Sequence, residues 1–289
     1  MAHTDAAAVR RELGAELRSY REAAGLNRAQ LAHDIGWTPT RISRIEAGKV
    51  GISEVDLILY LAFCGTHRRD QDLDVLFREA ELMLGYWLSP HGPDLEDSLR
   101  SLIYHESTAS ASVGYAPHFI PGLLQTEGYA RAVISQDDWR TAENVEFCVR
   151  ARMARQHTLH RLTPAKFTFF LHEHALRWQC DAMPEQLLAL TLLDGLPHID
   201  IRVVPAGSMF GGAFRMLHYT QHKPLVHLDA YFAGLFLEAE EYVAPYRELV
   251  AVIAKAALGE RESREFLTTL AGDHDRGSPR DDEVEESRR

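Results

Sequence analysis

Between Leu26 and Gly48 the apolar positions come in two short groups, Leu31, Ala32 and Ile35, then Ile42 and Ile45. The first group has the three- and four-residue spacing, and the second the three-residue spacing, that gathers one stripe of a helix. Asn27 is a good N-cap for a helix from Arg28 to Ile35, and Gly36 stops it. Trp37 fills the turn, and Thr38 then caps a second helix whose first position is Pro39, where a missing N–H costs nothing. That helix runs to Ala47 and ends at Gly48, a left-handed C-cap residue. Its inward pair, Ile42 and Ile45, leaves Thr40, Arg41, Ser43 and Arg44 facing outward near its N-terminal half. Helical patterns flank the pair at Val9 to Ala24, Ser53 to Cys64 and Asp70 to Leu84. Leu13, Leu17, Tyr20, Val55, Ile58, Leu59 and Ala62 are the expected remainder of that core.

The pattern changes after Leu84. Residues 85–94 are punctuated by proline and glycine and read as a linker. Leu95 to Glu106 reads as an amphipathic helix and Ser107 to Tyr115 as extended chain. A proline turn then leads into a helix with Tyr129, Ala130 and Val133 inward, and a long helix spans Ala142 to Leu159. Strand patterns lie at Lys166 to Leu171, Ile199 to Val204, Phe214 to Tyr219, Leu225 to Leu228 and Ala233 to Leu237. Helices are expected at Pro184 to Leu193 and Glu240 to Leu258. The expected organisation is a helical head over 1–84, the linker 85–94, an α+β domain over 95–272, and a charged disordered tail over 273–289. The head retains all five of its helices and is expected to fold alone.

Two short helices joined by a tight turn, with cations leading the second, are the architecture of a DNA-reading helix-turn-helix. In such docking the N-terminal half of the second helix enters the major groove, where arginine donates two bonds to guanine O6 and N7. Arg41 and Arg44 are the leading base-reading candidates, with Thr40 beside them. Residues 10–64 resemble the Xre and lambda-repressor-like DNA-binding domains, which implies a five-helix fold. Relatives often pair an arginine late in the first helix with a glutamate late in the recognition helix, and Arg21 and Glu46 occupy those positions; the pair reads as structural. By matching position, the resemblance implies that Arg28 meets phosphate. Where many relatives carry glutamines at the start of the recognition helix, this chain has Pro39 and Thr40. The full expected DNA-binding set is Asn27, Arg28, Thr38, Thr40, Arg41, Ser43, Arg44 and Lys49.

A net charge of -11 looks wrong for a partner of a polyanion until it is divided along the chain. Residues 1–69 hold 10 Lys plus Arg against 8 Asp plus Glu, a balance of +2, and the remainder holds 21 against 34, a balance of -13. The mild positive balance of the head makes arginine placement and the pairing of two heads decisive for affinity. Cys64, Cys148 and Cys180 suggest neither a disulfide framework nor a zinc site. No apolar run approaches the ~20 residues that cross a membrane, and the Met-Ala-His-Thr-Asp start lacks a secretory pattern, so a cytoplasmic location is expected.

The second part offers fragments of chemistry without a complete constellation, so no enzyme is expected and no cofactor assigned. His172-Glu-His174 begins like a zinc-protease helix, but the second histidine belongs at 176, which is Leu176. Two histidines on one strand face form a partial metal site only if a third ligand arrives from elsewhere; the alternative is polar residues at a strand end. Gly207-Ser-Met-Phe-Gly-Gly212 lacks the Lys-Ser/Thr of a phosphate loop and reads as a flexible turn. Arg150, Arg152 and Arg155 are candidates for an anionic ligand or for ion pairs. Phe210, Phe214, Tyr231, Phe232 and Phe236 are candidates for a pocket wall or for core.

Phe119-Ile-Pro-Gly-Leu-Leu-Gln-Thr126, Tyr129-Ala130-Arg131, Arg152-Met-Ala-Arg-Gln156 and the Ile199 to Pro205 strand resemble the WhiJ-like regulators of actinobacteria. With the head, the resemblance covers about residues 10–270. It implies a transcriptional regulator, commonly encoded beside a small partner protein and sometimes described as antitoxin-like. The leading expectation is a dimeric, sequence-specific regulator of double-stranded DNA whose C-terminal domain dimerises and receives a small-molecule or protein signal. The alternative is an antitoxin-like module that binds a small partner protein and autoregulates.

Overall fold

Local sequence fixes the helix ends of the N-terminal part, and tertiary packing decides which faces are buried. The computed structural model describes residues 7–66, 71–90, 96–136, 140–161, 164–229 and 233–277. In chain order the elements are α1 (Ala8–Ala23), α2 (Arg28–Asp34), α3 (Pro39–Glu46), α4 (Glu54–Phe63), α5 (Gln71–Leu82), β1 (Tyr86–Pro90), α6 (Glu96–Thr108) and β2 (Ala111–Ala116). Next come α7 (Glu127–Ile134), α8 (Ala142–Arg155), β3 (Lys166–His172), α9 (Glu173–Leu176), α10 (Met183–Leu193) and β4 (Ile199–Val204). The chain continues with β5 (Phe214–His218), β6 (Leu225–Asp229), β7 (Ala233–Leu237), α11 (Glu240–Ala256) and α12 (Glu260–Gly277). The fold is thus a helical N-terminal region followed by mixed sheet and helices.

The chain forms two compact units. The first takes the residues up to Thr108 together with Leu217–Pro245, and the second takes Ala109–Met216 and the chain from Tyr246 onward. This division differs from the expected break at residues 85–94. Tyr86–Pro90 of that segment is strand β1, paired antiparallel with β7 from Tyr86 opposite Leu237 to Pro90 opposite Ala233, and β7 pairs in turn with β6. Residues 91–94 lie outside the described residues. Gly85 and Pro90 punctuate the segment, yet Trp87 is buried and stacks on Phe236 with ring centroids 4.8 Å apart. Burying an indole is reason enough to order five residues.

Helix α1 makes hydrogen bonds to residues beyond 84. Glu12 of α1 is buried and accepts a hydrogen bond from Ser101 Oγ of α6, and its other oxygen lies 3.1 Å from His105 Nε2. The Ala8 N–H donates to Glu238 at 2.8 Å. Both partners of the Glu12 carboxylate, Ser101 and His105, therefore lie beyond the expected end of the head at Leu84.

In the second unit β2, β3 and β4 form a parallel ladder, with Ala111 opposite Lys166 and Phe167 opposite Ile199. Phe167, Phe169 and Leu171 alternate onto one face of β3 and share a core with Leu187 and Leu190 of α10 and Leu267 and Leu270 of α12. The apolar positions of α12 stop at Ala271, but the helix continues to Gly277, so residues 273–277 of the expected tail are helical. Helix propagation past the last core contact needs only backbone hydrogen bonds. Residues 278–289 lie outside the described residues.

Candidate nucleic-acid interface

The two helices expected to form a helix-turn-helix are present with the expected caps. Asn27 accepts from the N–H groups of Ala29 and Gln30, both at 2.9 Å, and the Gln30 side chain returns a bond to the Asn27 N–H, a complete capping box. Thr38 Oγ1 accepts from the Arg41 N–H at 3.2 Å, and Pro39 opens α3. At its far end Gly48 has φ +68°, with Gly48 N bonded to Ile45 O and Lys49 N to Arg44 O, the paired bonds of a Schellman motif. A side chain at Gly48 would also strike the backbone of Arg10 and Arg11. A Cβ on Gly14 of α1 would stand 2.6 Å from the carbonyl oxygens of Ile45 and Glu46. Two glycines therefore let α1 and the end of α3 touch backbone to backbone, and this contact sets the angle at which α3 is presented.

Behind α3 lies a buried carboxylate. The Glu46 side chain is 1% exposed and accepts from Arg21 Nε at 2.5 Å and Arg21 Nη2 at 3.1 Å, from Arg28 Nε at 2.8 Å, and from the Tyr60 hydroxyl at 2.9 Å. Arg21 Nη1 donates to Leu26 O at 2.7 Å, which ties the α1–α2 turn into the same hub. Burial pushes the Glu46 carboxyl up, but the hydrogen bonds from Arg21, Arg28 and Tyr60 outweigh it and hold the group below the usual carboxylate range. The hydrogen bond to Glu46 raises the Arg21 guanidinium in turn. Burial, reinforced by Glu46, raises the Tyr60 phenol. The pair expected between Arg21 and Glu46 is formed, and sequence reasoning missed its two further members.

The hub also explains a reversed face. Val55 and Ile58 were expected in the core, yet they are 75% and 54% exposed, and Leu57, Tyr60 and Leu61 face inward. Helix α4 is apolar on nearly every side, so periodicity does not select its inner face. The Tyr60 hydroxyl does, because it has to reach Glu46 and Leu17 O.

The expected DNA-facing residues do not form one equivalent group. Thr40, Arg44 and Lys49 are exposed, Ser43 is half-buried, and among the described residues Arg44 makes no ion pair. Arg41 is held on two sides: its guanidinium lies 3.8 Å over the Trp37 ring, and its Nη2 donates to Asp56 Oδ2 at 2.6 Å. Asp56 is fixed in turn by Ser53, which caps α4. Arg28 leans on Glu46 although its side chain stays 42% exposed. Asn27 and Thr38 spend their side-chain oxygens on caps.

The candidate residues of the second unit separate. Arg152 donates to Gln125 Oε1 at 2.7 Å and lies with Arg155 against Gly122, whereas Arg150 is exposed, so two of the three arginines meet and the third stands apart. His172 ends β3, and its Nδ1 accepts from the His174 N–H at 3.1 Å to cap α9. Among the described residues no three His, Cys, Asp or Glu side chains gather to hold a metal. Phe210 and Phe214 pack around Tyr115 in the second unit, Phe236 belongs to the first, and Tyr231 and Phe232 lie outside the described residues. All three cysteines are free thiols. No described helix is long and apolar enough to cross a membrane.

Comparison with known proteins places a helix-turn-helix domain at residues 12–73 and a domain of unknown function, DUF5753, at residues 99–269. No curated protein matches. Among solved structures, that of TrmBL2, an archaeal chromatin protein described as showing a novel mode of DNA binding, is similar at 14% identity with a TM-score of 0.29. The likeness covers 64% of this chain and 59% of that one, and is too slight to define a shared fold. The match over residues 99–269 takes in more than half of the sequence, and the chain belongs to the family defined by DUF5753.

Proposed function

We propose that the protein is a sequence-specific transcriptional regulator that reads double-stranded DNA with the exposed face of α3. The observation that carries this reading is the contrast on that helix: Glu46, Ile42 and Ile45 are buried and fix its position, and Arg44 stands exposed on the opposite side with Thr40. In this assignment Arg44 makes the bidentate base contact. Arg41 contributes the guanidinium edge that Asp56 leaves open, and Lys49 and Arg28 meet phosphate. A single short helix reads few base pairs at about 1–3 kcal/mol per bidentate contact, so the working form is a homodimer on two half-sites in the cytoplasm. The C-terminal domain dimerises and receives a small-molecule or protein signal, and its sequence offers no complete catalytic constellation. Selection of bound duplexes from a random pool tests the reading: a two-fold symmetric consensus is expected, and recovery of unrelated sequences refutes it.

A second reading, an antitoxin-like module around a small partner protein, is favoured by Leu188 and Leu192, 57% and 70% exposed one turn apart on α10. Co-purification from the native host with a stoichiometric small protein, lost in a Leu188→Glu, Leu192→Glu variant, supports it. A homogeneous dimer without that companion favours the first reading.

A further inference from the structure

The strongest unassigned feature lies in the first unit, behind the recognition helix. A cavity of about 330 Å³ opens between α1, the C-terminal end of α3, α5 and residues 50–53. That lies within the ~300–1,000 Å³ typical of small-molecule sites. Leu13, Leu17, Ile45 and Phe77 give it an apolar floor, and Arg10 and Glu81 stand among its lining. Arg10 Nε donates to Ala80 O at 3.3 Å, which steadies the guanidinium. Arg10 Nη2 lies 3.6 Å from the point where a Cβ on Gly51 would stand, which places the guanidinium beside Gly51 on the cavity lining.

We propose that this cavity binds a small amphipathic molecule, an apolar body ending in one carboxylate or sulfonate that pairs with Arg10. Glu81 on the same lining disfavours a second anionic group. Occupancy acts on the DNA face because Ile45 and Gly14 both line the cavity and also form the tight seam between α1 and α3. A molecule wedged there moves α3 away from its docking angle, and by linkage DNA and ligand weaken each other. This last step rests on the DNA-reading function proposed above; the binding site does not.

The test uses the full chain and two dyes, anionic 1-anilinonaphthalene-8-sulfonate and uncharged N-phenyl-1-naphthylamine, followed by fluorescence titration. The anionic dye is expected to bind one saturable site, and filling the cavity by Ala80→Phe is expected to abolish it. If melting curves show that Ala80→Phe does not fold, Gly51→Leu narrows the mouth instead. Arg10→Met is expected to weaken the anionic dye about tenfold, the scale of a hydrogen bond to a charged group, and to leave the uncharged dye unchanged. Dye binding that survives in folded filling variants overturns the site, and equal weakening of both dyes overturns the anionic preference. Saturating anionic dye is expected to weaken binding to the selected duplex in the wild type and to leave folded Ala80→Phe unaffected. An unmoved DNA affinity overturns the coupling. Failure to select any duplex refutes the DNA reading and leaves the dye results standing.

Discussion

Glu46 in the first unit and Gln186 in the second do the same structural work with different chemistry. Gln186 is fully buried; its Oε1 accepts from the Thr126 N–H and its Nε2 donates to Leu124 O, both at 2.7 Å. A neutral amide satisfies one backbone donor and one backbone acceptor, and it fixes the turn that carries Leu123 and Leu124 into the core. Glu46 instead gathers two guanidiniums and a phenol, which only a charged acceptor can hold together. The difference teaches where each unit is vulnerable. Loss of the amide strands two backbone groups, and loss of the carboxylate strands a buried charge.

The largest expected effect is therefore Glu46→Ala. Arg21 is 6% exposed and cannot regain water, so breaking the pair should cost about 3–5 kcal/mol in denaturant melts. Gln186→Leu should cost about 1–3 kcal/mol by the same measurement, because a buried N–H and C=O lose their partners. If the two variants lose the same amount, charge is not what separates the hubs.

Acid sharpens the contrast. The folded Glu46 carboxyl is depressed, so the stability it gives is complete above the ordinary carboxylate range and is lost as pH falls through its lowered folded value. Melts of the wild type across acidic pH should show that loss, and Glu46→Gln should lack that part of the slope. An unchanged slope in Glu46→Gln contradicts the assignment. Gln186→Leu should keep the wild-type pH dependence.

The seam between α1 and α3 gives a further test. Gly14→Ala forces a methyl toward two carbonyl oxygens and should cost about 1–3 kcal/mol as overpacking, while lowering DNA affinity through the tilt of α3. Unchanged melting would mean that α1 gives way freely. The smallest effect belongs to Val55→Ser on the outer face of α4, expected within about 0.5 kcal/mol of wild type although the apolar pattern alone placed that residue in the core.

Legibility followed the locality of the cause. The caps at Asn27 and Thr38, the stop at Gly48 and the inward Ile42 and Ile45 depend on neighbours a few residues away, and the sequence displays them. The strands Ile199–Val204 and Ala233–Leu237 were legible to the residue from their apolar composition. Strand β1 was not, because its order comes from Phe236 and β7, far along the chain. Helix α12 was hidden by its charge, although Phe266, Leu267, Leu270 and Ala271 carry a helical spacing that would have revealed it. At the candidate interface the residue types were legible, and their partners were not: nothing near Arg41 in sequence announces Asp56, and nothing near Arg28 announces Glu46.

Arg44 is proposed to read a base, a role that the cations held elsewhere on the head do not share equally. The most direct test of that role is a binding titration of wild type, Arg44→Ala and Arg28→Ala against the selected duplex and a scrambled duplex at fixed salt. Arg44→Ala should lose about 1–3 kcal/mol on the selected duplex and almost nothing on the scrambled one, and Arg28→Ala should weaken both alike. Equal losses on the two duplexes for Arg44→Ala would contradict the account.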